Sequence, residues 1–119
     1  FTQPMVERLR EFVIVLPNAN RVNVNTASAE VLAAVLGFSV GEGSALVASR
    51  KTAAFKNKQD FASRLNGKVP PTDITYEVWS EYFLVESRVR LDRAALNARA
   101  MIHRTINPPR FVLVWIRQD

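Results

Sequence analysis

The spacing of apolar residues changes near residue 81, and no other feature of this 119-residue chain limits its fold as strongly. From Glu81 onward, Phe83, Val85, Ser87, Val89 and Leu91 alternate with Leu84, Glu86, Arg88, Arg90 and Asp92. That is the two-residue repeat of a half-buried strand. Residues 110–118 form a second strand candidate. Between them, residues 93–104 carry the Ala, Leu and Arg content of a helix. Leu96, Ala98, Ala100 and Ile102 nevertheless alternate with Asn97, Arg99, Met101 and His103, and the alternation predicts a strand. Asn107-Pro108-Pro109 supplies the turn before the last strand.

Upstream of residue 81 the pattern is that of short helices joined by tight loops. Met5 to Phe12 suits a helix with Met5, Leu9 and Phe12 on one face. The β-branched run Phe12 to Leu16 stops at Pro17 and is expected to be extended, with Asn18-Ala19-Asn20 as a turn. Thr26 or Ser28 can cap the next helix by accepting a hydrogen bond from an unpaired backbone N–H. Glu30 would follow in its first turn, where the helix dipole favours an acid. Val31, Leu32, Val35 and Leu36 give that helix its apolar face, and Gly37 ends it. Three of the four glycines fall in 37–43, which marks a loop. A second helix is expected from Ser44 to Lys51, with Ala45, Leu46 and Ala48 inward. Asn57 with Asp60 opens a further helix through Phe61 and Leu65, stopped by Asn66-Gly67. Pro70-Pro71-Thr72-Asp73 marks a break before one helical turn at 74–79. The expected class is α+β, with a helical module over 1–80 and antiparallel strands over 81–119.

Composition narrows the function. With 48% hydrophobic residues the chain can bury a core, while 23% charged residues give it an ordinary polar surface. Its longest apolar runs, 12–17 and 111–116, are too short to cross a bilayer as a helix. Cysteine is absent, which excludes disulfides and thiol chemistry. The net charge of +5 favours anionic partners. The basic residues are scattered rather than blocked, however, so a solvated and mildly basic surface is the expectation. Because the chain opens at Phe1-Thr2-Gln3-Pro4, it is read as part of a longer protein, in which any export signal or membrane anchor would lie upstream.

Catalytic readings find no support. His103 is the only histidine, which leaves no basis for a Ser-His-Asp arrangement. There is no phosphate-binding glycine loop and no paired-histidine metal motif. Asp60 and Asp73 are accounted for as caps at helix starts. Trp79, Trp115 and the phenylalanines fit a core or a subunit interface. No enzyme activity and no cofactor are expected.

The most specific stretch is Val22-Asn23-Val24-Asn25-Thr26-Ala27-Ser28-Ala29-Glu30-Val31-Leu32. Val22 and Val24 can face a core while Asn23 and Asn25 brace the turn with side-chain hydrogen bonds. Two families share this phrase. One is the helix-hairpin-helix group of the competence DNA receptor type. In that reading Gly41 and Gly43 would form the hairpin, with Arg50 and Lys51 on the DNA-facing helix. The other is the type II secretion system protein K family. Ser39 stands where the DNA-binding hairpin has its second glycine, and Glu42 sets a negative charge where a phosphate would approach. The flanks also resemble protein K: the lead-in from Met5 to Pro17, then Trp79-Ser80-Glu81-Tyr82-Phe83-Leu84-Val85, then the last strands.

The protein K resemblance implies a helix-hairpin-helix or SAM-like helical insertion carried on a pseudopilin sheet, with Asn23, Asn25, Thr26, Ala27 and Leu32 as structural motif residues. It implies a non-enzymatic minor pseudopilin at the tip of a periplasmic pseudopilus, anchored in the bacterial inner membrane. The implied partners are the minor pseudopilins I and J, and secreted exoproteins, rather than nucleic acid. Some members bind calcium. Glu81, Glu86 and Asp92 lie in the corresponding region, but they lack the spacing of a calcium loop, and solvated strand charges are the expectation.

Overall fold

The computed structural model describes residues 1–17, 21–73 and 75–118, and it divides into two compact units, Phe1–Trp79 and Ser80–Asp119. Four helices and an antiparallel sheet make it an α+β protein. The turn expected at Asn18-Ala19-Asn20 lies outside the described residues, as does Ile74.

The first unit opens with α1 (Gln3–Leu9), which ends about one turn earlier than its apolar spacing predicts and buries none of its residues. Residues 13–16 join no strand. Next comes β1 (Val22–Asn23), then α2 (Ala29–Leu36). Of the two cap candidates it is Ser28 that serves, its hydroxyl accepting from Val31 N at 3.3 Å. Thr26 is exposed in the preceding turn. Gly37 closes α2 in the left-handed conformation at φ 69°, where a Cβ would be strained.

The helix α3 (Val40–Thr52) begins a turn earlier than Ser44. Ser39 and Glu42 form a reciprocal capping box: Glu42 N donates to Ser39 Oγ at 3.2 Å, and Ser39 N to Glu42 Oε2 at 2.8 Å. Those two bonds satisfy backbone donors that a helix start otherwise leaves unpaired. Gly41 and Gly43 therefore belong to the helix, not to a hairpin loop. Gly43 is buried because α2 passes there, and a Cβ on it would run into the Ala29 carbonyl oxygen. The inward set also differs from expectation. Leu46 is buried and Val47 packs on the core, while Ala45 and Ala48 are exposed.

Asn57 caps α4 (Lys58–Ser63) by accepting from Asp60 N at 2.8 Å. Beyond it, Asn66 and Gly67 both take positive φ and turn the chain. No helical turn forms near residue 76. Instead Tyr76–Glu77 is the strand β2, paired in parallel with β1. Asp73, expected as a helix cap, consequently has no helix to cap. Val24, Leu32, Leu36, Leu46, Phe55, Phe61 and Leu65 form the core, with Tyr76 and Val78 packed against it. Phe61 sits at its centre, edge-on to Phe55 at 4.9 Å and tilted against Tyr76 at 5.0 Å. Burying each such side chain stabilises the unit by about 1.5–3 kcal/mol.

The second unit is an antiparallel meander of β3 (Tyr82–Leu91), β4 (Ala94–Ile106) and β5 (Pro109–Gln118). The strand predicted over 93–104 is thus present as β4. A cis Asn107–Pro108 peptide lies in the turn between β4 and β5. The register steps from Met101↔Trp115 to Ile102↔Leu113, leaving Val114 as an extra residue in a bulge. Register and alternation assign the faces. One carries Phe83, Val85, Val89, Ala100, Ile102 and Leu113. The other carries Leu84, Glu86, Arg88, Arg90, Arg99 and Met101. Met101 is the sheet's fully buried side chain among the described residues.

Candidate functional site

The Asn-x-Asn-Thr-Ala phrase builds the neck of the helical unit. Val22 N donates to Thr75 O at 3.3 Å and Val24 N to Glu77 O at 2.9 Å, so the start and end of the unit run side by side. Asn23 shapes the turn that follows. Its side-chain Oδ1 accepts from Asn25 N at 2.9 Å, and its carbonyl accepts from Thr26 N and Ala27 N. Asn25 then reaches across the unit. Its Nδ2 donates to Phe55 O and to Val78 O, each at 3.0 Å, while its Oδ1 accepts from Phe55 N at 2.8 Å. One amide thereby joins the start, the middle and the end of the helical unit. A carboxylate has no N–H donors and a hydroxyl too few, so the geometry calls for an asparagine here.

Arg50 completes the arrangement from α3. Its Nη1 donates to Val24 O at 3.0 Å and to Ala27 O at 2.5 Å. Burial lowers its pKa, though a guanidinium stays charged at any ordinary pH. Leu32 is buried in the core beneath this turn, and Ala27 packs against the same core. Glu77 accepts ion pairs from Lys58 at 3.0 Å and Arg21 at 3.6 Å. Neither Arg50's part nor Glu77's was visible in the sequence, because each joins segments far apart in the chain. Asn25 did stand out there, but its partners did not.

The residues proposed for a DNA-binding hairpin are used differently. Gly43 accommodates the Ala29 backbone, Gly41 lies in the first turn of α3, and Arg50 is engaged with carbonyls of the motif turn. The α3 N-terminus, where a phosphate would bind, is already capped by the Glu42 carboxylate, itself paired with Lys68. Only Lys51 of that set is exposed at the C-terminal end of α3.

The acids near the sheet do not converge. Glu81 lies 3.7 Å from His103 Nε2, and the His103 ring stacks on Tyr82 at 4.4 Å. Glu86 faces Arg88 at 3.7 Å, and Asp92 occupies the β3–β4 turn with positive φ. Among the described residues no three His, Asp or Glu side chains come together to hold a metal ion. Glu81, Glu86 and Asp92 are thus held apart on the sheet rather than gathered in one loop. Among the described residues, too, no single helix is long and apolar enough to cross a membrane.

Comparison with a family model falls on the same stretch. Residues 22–76, from β1 to β2, match the family "Type II secretion system (T2SS), protein K". The chain is also 39% identical over 85 residues to the type II secretion system protein K of Pseudomonas aeruginosa, covering 71% of this chain and 26% of that protein. It thus spans about a quarter of the length of that relative. With the neck motif in place and both comparisons in agreement, the chain belongs to the type II secretion system protein K family.

Proposed function

We propose that this chain is a periplasmic part of a minor pseudopilin, at the tip of the pseudopilus that exports folded proteins across the outer membrane. Its work is interaction, not catalysis, and neither metal nor cofactor enters it. The longer protein is anchored in the inner membrane, and the minor pseudopilins I and J are its neighbours, with secreted exoproteins as further contacts. The carrying observation is the closed neck, where β1 pairs with β2 and Asn25 ties both to Phe55. A module whose two ends leave from one point can be carried by another structure without disturbing it. In a protein K, that lets a bulky helical body ride on a pilin-like subunit and cap a fibre.

Deleting residues 22–78 from the full-length protein, in the bacterium that encodes it, tests the reading. Export of secreted enzymes should fall to the level of a strain lacking the whole gene, with the protein still present in the membrane fraction. Wild-type export by the deletion strain would refute it.

A further inference from the structure

A cavity of about 430 Å³ opens between α3 and the turn that follows α4. Its apolar lining is Phe38, Leu46 and Leu65, which belong to the helical core or pack on it. Two small side chains one helical turn apart, Ala45 and Ser49, leave the space on the α3 side. Two polar residues line the cavity with bonding capacity to spare. Ser49 Oγ accepts from Arg64 Nη1 at 3.4 Å, which leaves its own hydrogen free to donate. The Asn66 amide, on a residue held at φ 53°, has no hydrogen-bond partner among the described residues. The charges at the rim are already matched. Glu42 pairs with Lys68, and Arg64 pairs with Asp60 at 2.8 Å. Lys68 also lies over the Phe38 ring, its Nζ 5.2 Å from the centroid.

We propose that this cavity takes a tyrosine side chain presented by a partner protein, its ring against Phe38, Leu46 and Leu65 and its hydroxyl between Ser49 and Asn66. Ligand sites are concave and mostly apolar, with a few placed polar groups, and their volumes begin at about 300 Å³. An aromatic ring supplies the apolar area, and a polar tip serves the two unused groups. Because Ser49 has a hydrogen to give, the tip must accept one. An indole N–H only donates, and a phenylalanine has no tip at all. A phenolic hydroxyl accepts from Ser49 and donates to the Asn66 side-chain carbonyl. Charge points the same way. A carboxylate or phosphate would have to displace Glu42 from Lys68 or Asp60 from Arg64, whereas a neutral group leaves both pairs intact. Tyrosine seated in a desolvated pocket is a frequent anchor of protein interfaces. The inference rests on the assembly role proposed above only in taking the ligand to be part of a protein.

The test is two-dimensional amide NMR of the intact 119-residue chain titrated with N-acetyltyrosinamide. N-acetylphenylalaninamide and the O-phosphorylated tyrosine amide are titrated beside it. The tyrosine probe should saturate in the millimolar range, with shifts centred on Ala45, Ser49 and Asn66. It should bind about threefold more tightly than the phenylalanine probe, the worth of one net hydrogen bond, and more tightly than the phosphorylated one. Ala45→Phe, which fills the cavity, should weaken the tyrosine probe about tenfold or more. Ala48→Phe makes the same change at an exposed α3 position outside the cavity and should leave it within about twofold. Asn66→Gly tolerates the positive φ and removes the amide. It should bring the tyrosine probe down to the phenylalanine level and leave the phenylalanine probe unchanged. Should Ala45→Phe not fold, Asn66→Gly decides alone. No saturable shift at these residues, equal affinity for the two neutral probes, or tighter binding of the phosphorylated one would each overturn the proposal. Since this is direct binding, it can fail while the secretion phenotype stands, and the reverse.

Discussion

Asn25 does with one amide what several backbone contacts do elsewhere, and truncating it leaves polar groups at Phe55 and Val78 without partners. Unsatisfied groups of this kind cost more than the bond itself contributes. Asn25→Ala is therefore expected to destabilise the helical unit by about 2–4 kcal/mol, read as a lowered denaturation midpoint. Asn25→Asp should recover little, because the two lost contacts are donations. The two α3 glycines make a sharper contrast. Gly43→Ala would drive a Cβ into the Ala29 carbonyl and should cost about 1–3 kcal/mol. At Gly41 the nearest atom to an added Cβ is Ser39 Oγ at 3.8 Å, so Gly41→Ala should stabilise by about 0.5–1 kcal/mol. If both substitutions moved the melting temperature the same way, the assignment of Gly43 as the close-packed position would be wrong. The motif's importance was legible in the sequence, since two asparagines beside a helix cap have little other use. That Arg50 would serve the same turn was not, because no local pattern links it to Val24.

The helices follow their caps more faithfully than their composition. Three glycines between residues 37 and 43 suggested a loop, yet Ser39 with Glu42 starts α3 at Val40. The Ser-x-x-Glu signal was present and outweighs the glycines, because it pairs two backbone donors at once. Ser39→Ala should cost about 1 kcal/mol and fray that first turn, measurable as faster amide exchange at Gly41 and Glu42. The strands of the sheet were legible from alternation, β4 included, because a period of two over ten residues outweighs modest helix propensity. The β1–β2 pair was not, since two-residue strands carry no period and their partners are distant in sequence. In α4, Asp60 receives the Lys56 backbone N–H at 2.9 Å and the Arg64 guanidinium at 2.8 Å. These contacts, the backbone bond first, hold its pKa below the ordinary carboxylate value. A depressed folded-state pKa contributes stability that is present above the unfolded value and lost as pH falls through the folded one. The helical unit should therefore lose stability below about pH 4. Asp60→Asn should flatten that acid limb and leave little difference between wild type and variant at the lowest pH. An unchanged acid limb would mean the Lys56 and Arg64 contacts do not hold in solution.

The two units differ in how completely each encloses its apolar surface. Every side chain of the main core comes from residues 24–65, closed by Tyr76 and Val78. The neck hydrogen bonds also begin and end within the helical unit. In the sheet, by contrast, one face is largely apolar and open, with Phe111 74%, Leu91 71% and Ile116 66% exposed. Among the described residues its outer strands β3 and β5 each pair on one side only, leaving rows of backbone groups able to accept another strand. A three-stranded sheet with an uncovered apolar face gains too little burial to remain a dispersed monomer. Three lengths of chain should accordingly behave differently. Residues 21–79 alone should melt cooperatively and sediment as a monomer. The 119-residue chain should associate as concentration rises, through the open face and edges of the sheet. Residues 80–119 alone should aggregate. A strictly monomeric 119-residue chain at high concentration would mean that this apolar face is covered in solution. Loss of cooperativity in residues 21–79 would mean that the neck, for all its hydrogen bonds, does not close the helical core without the strands that follow.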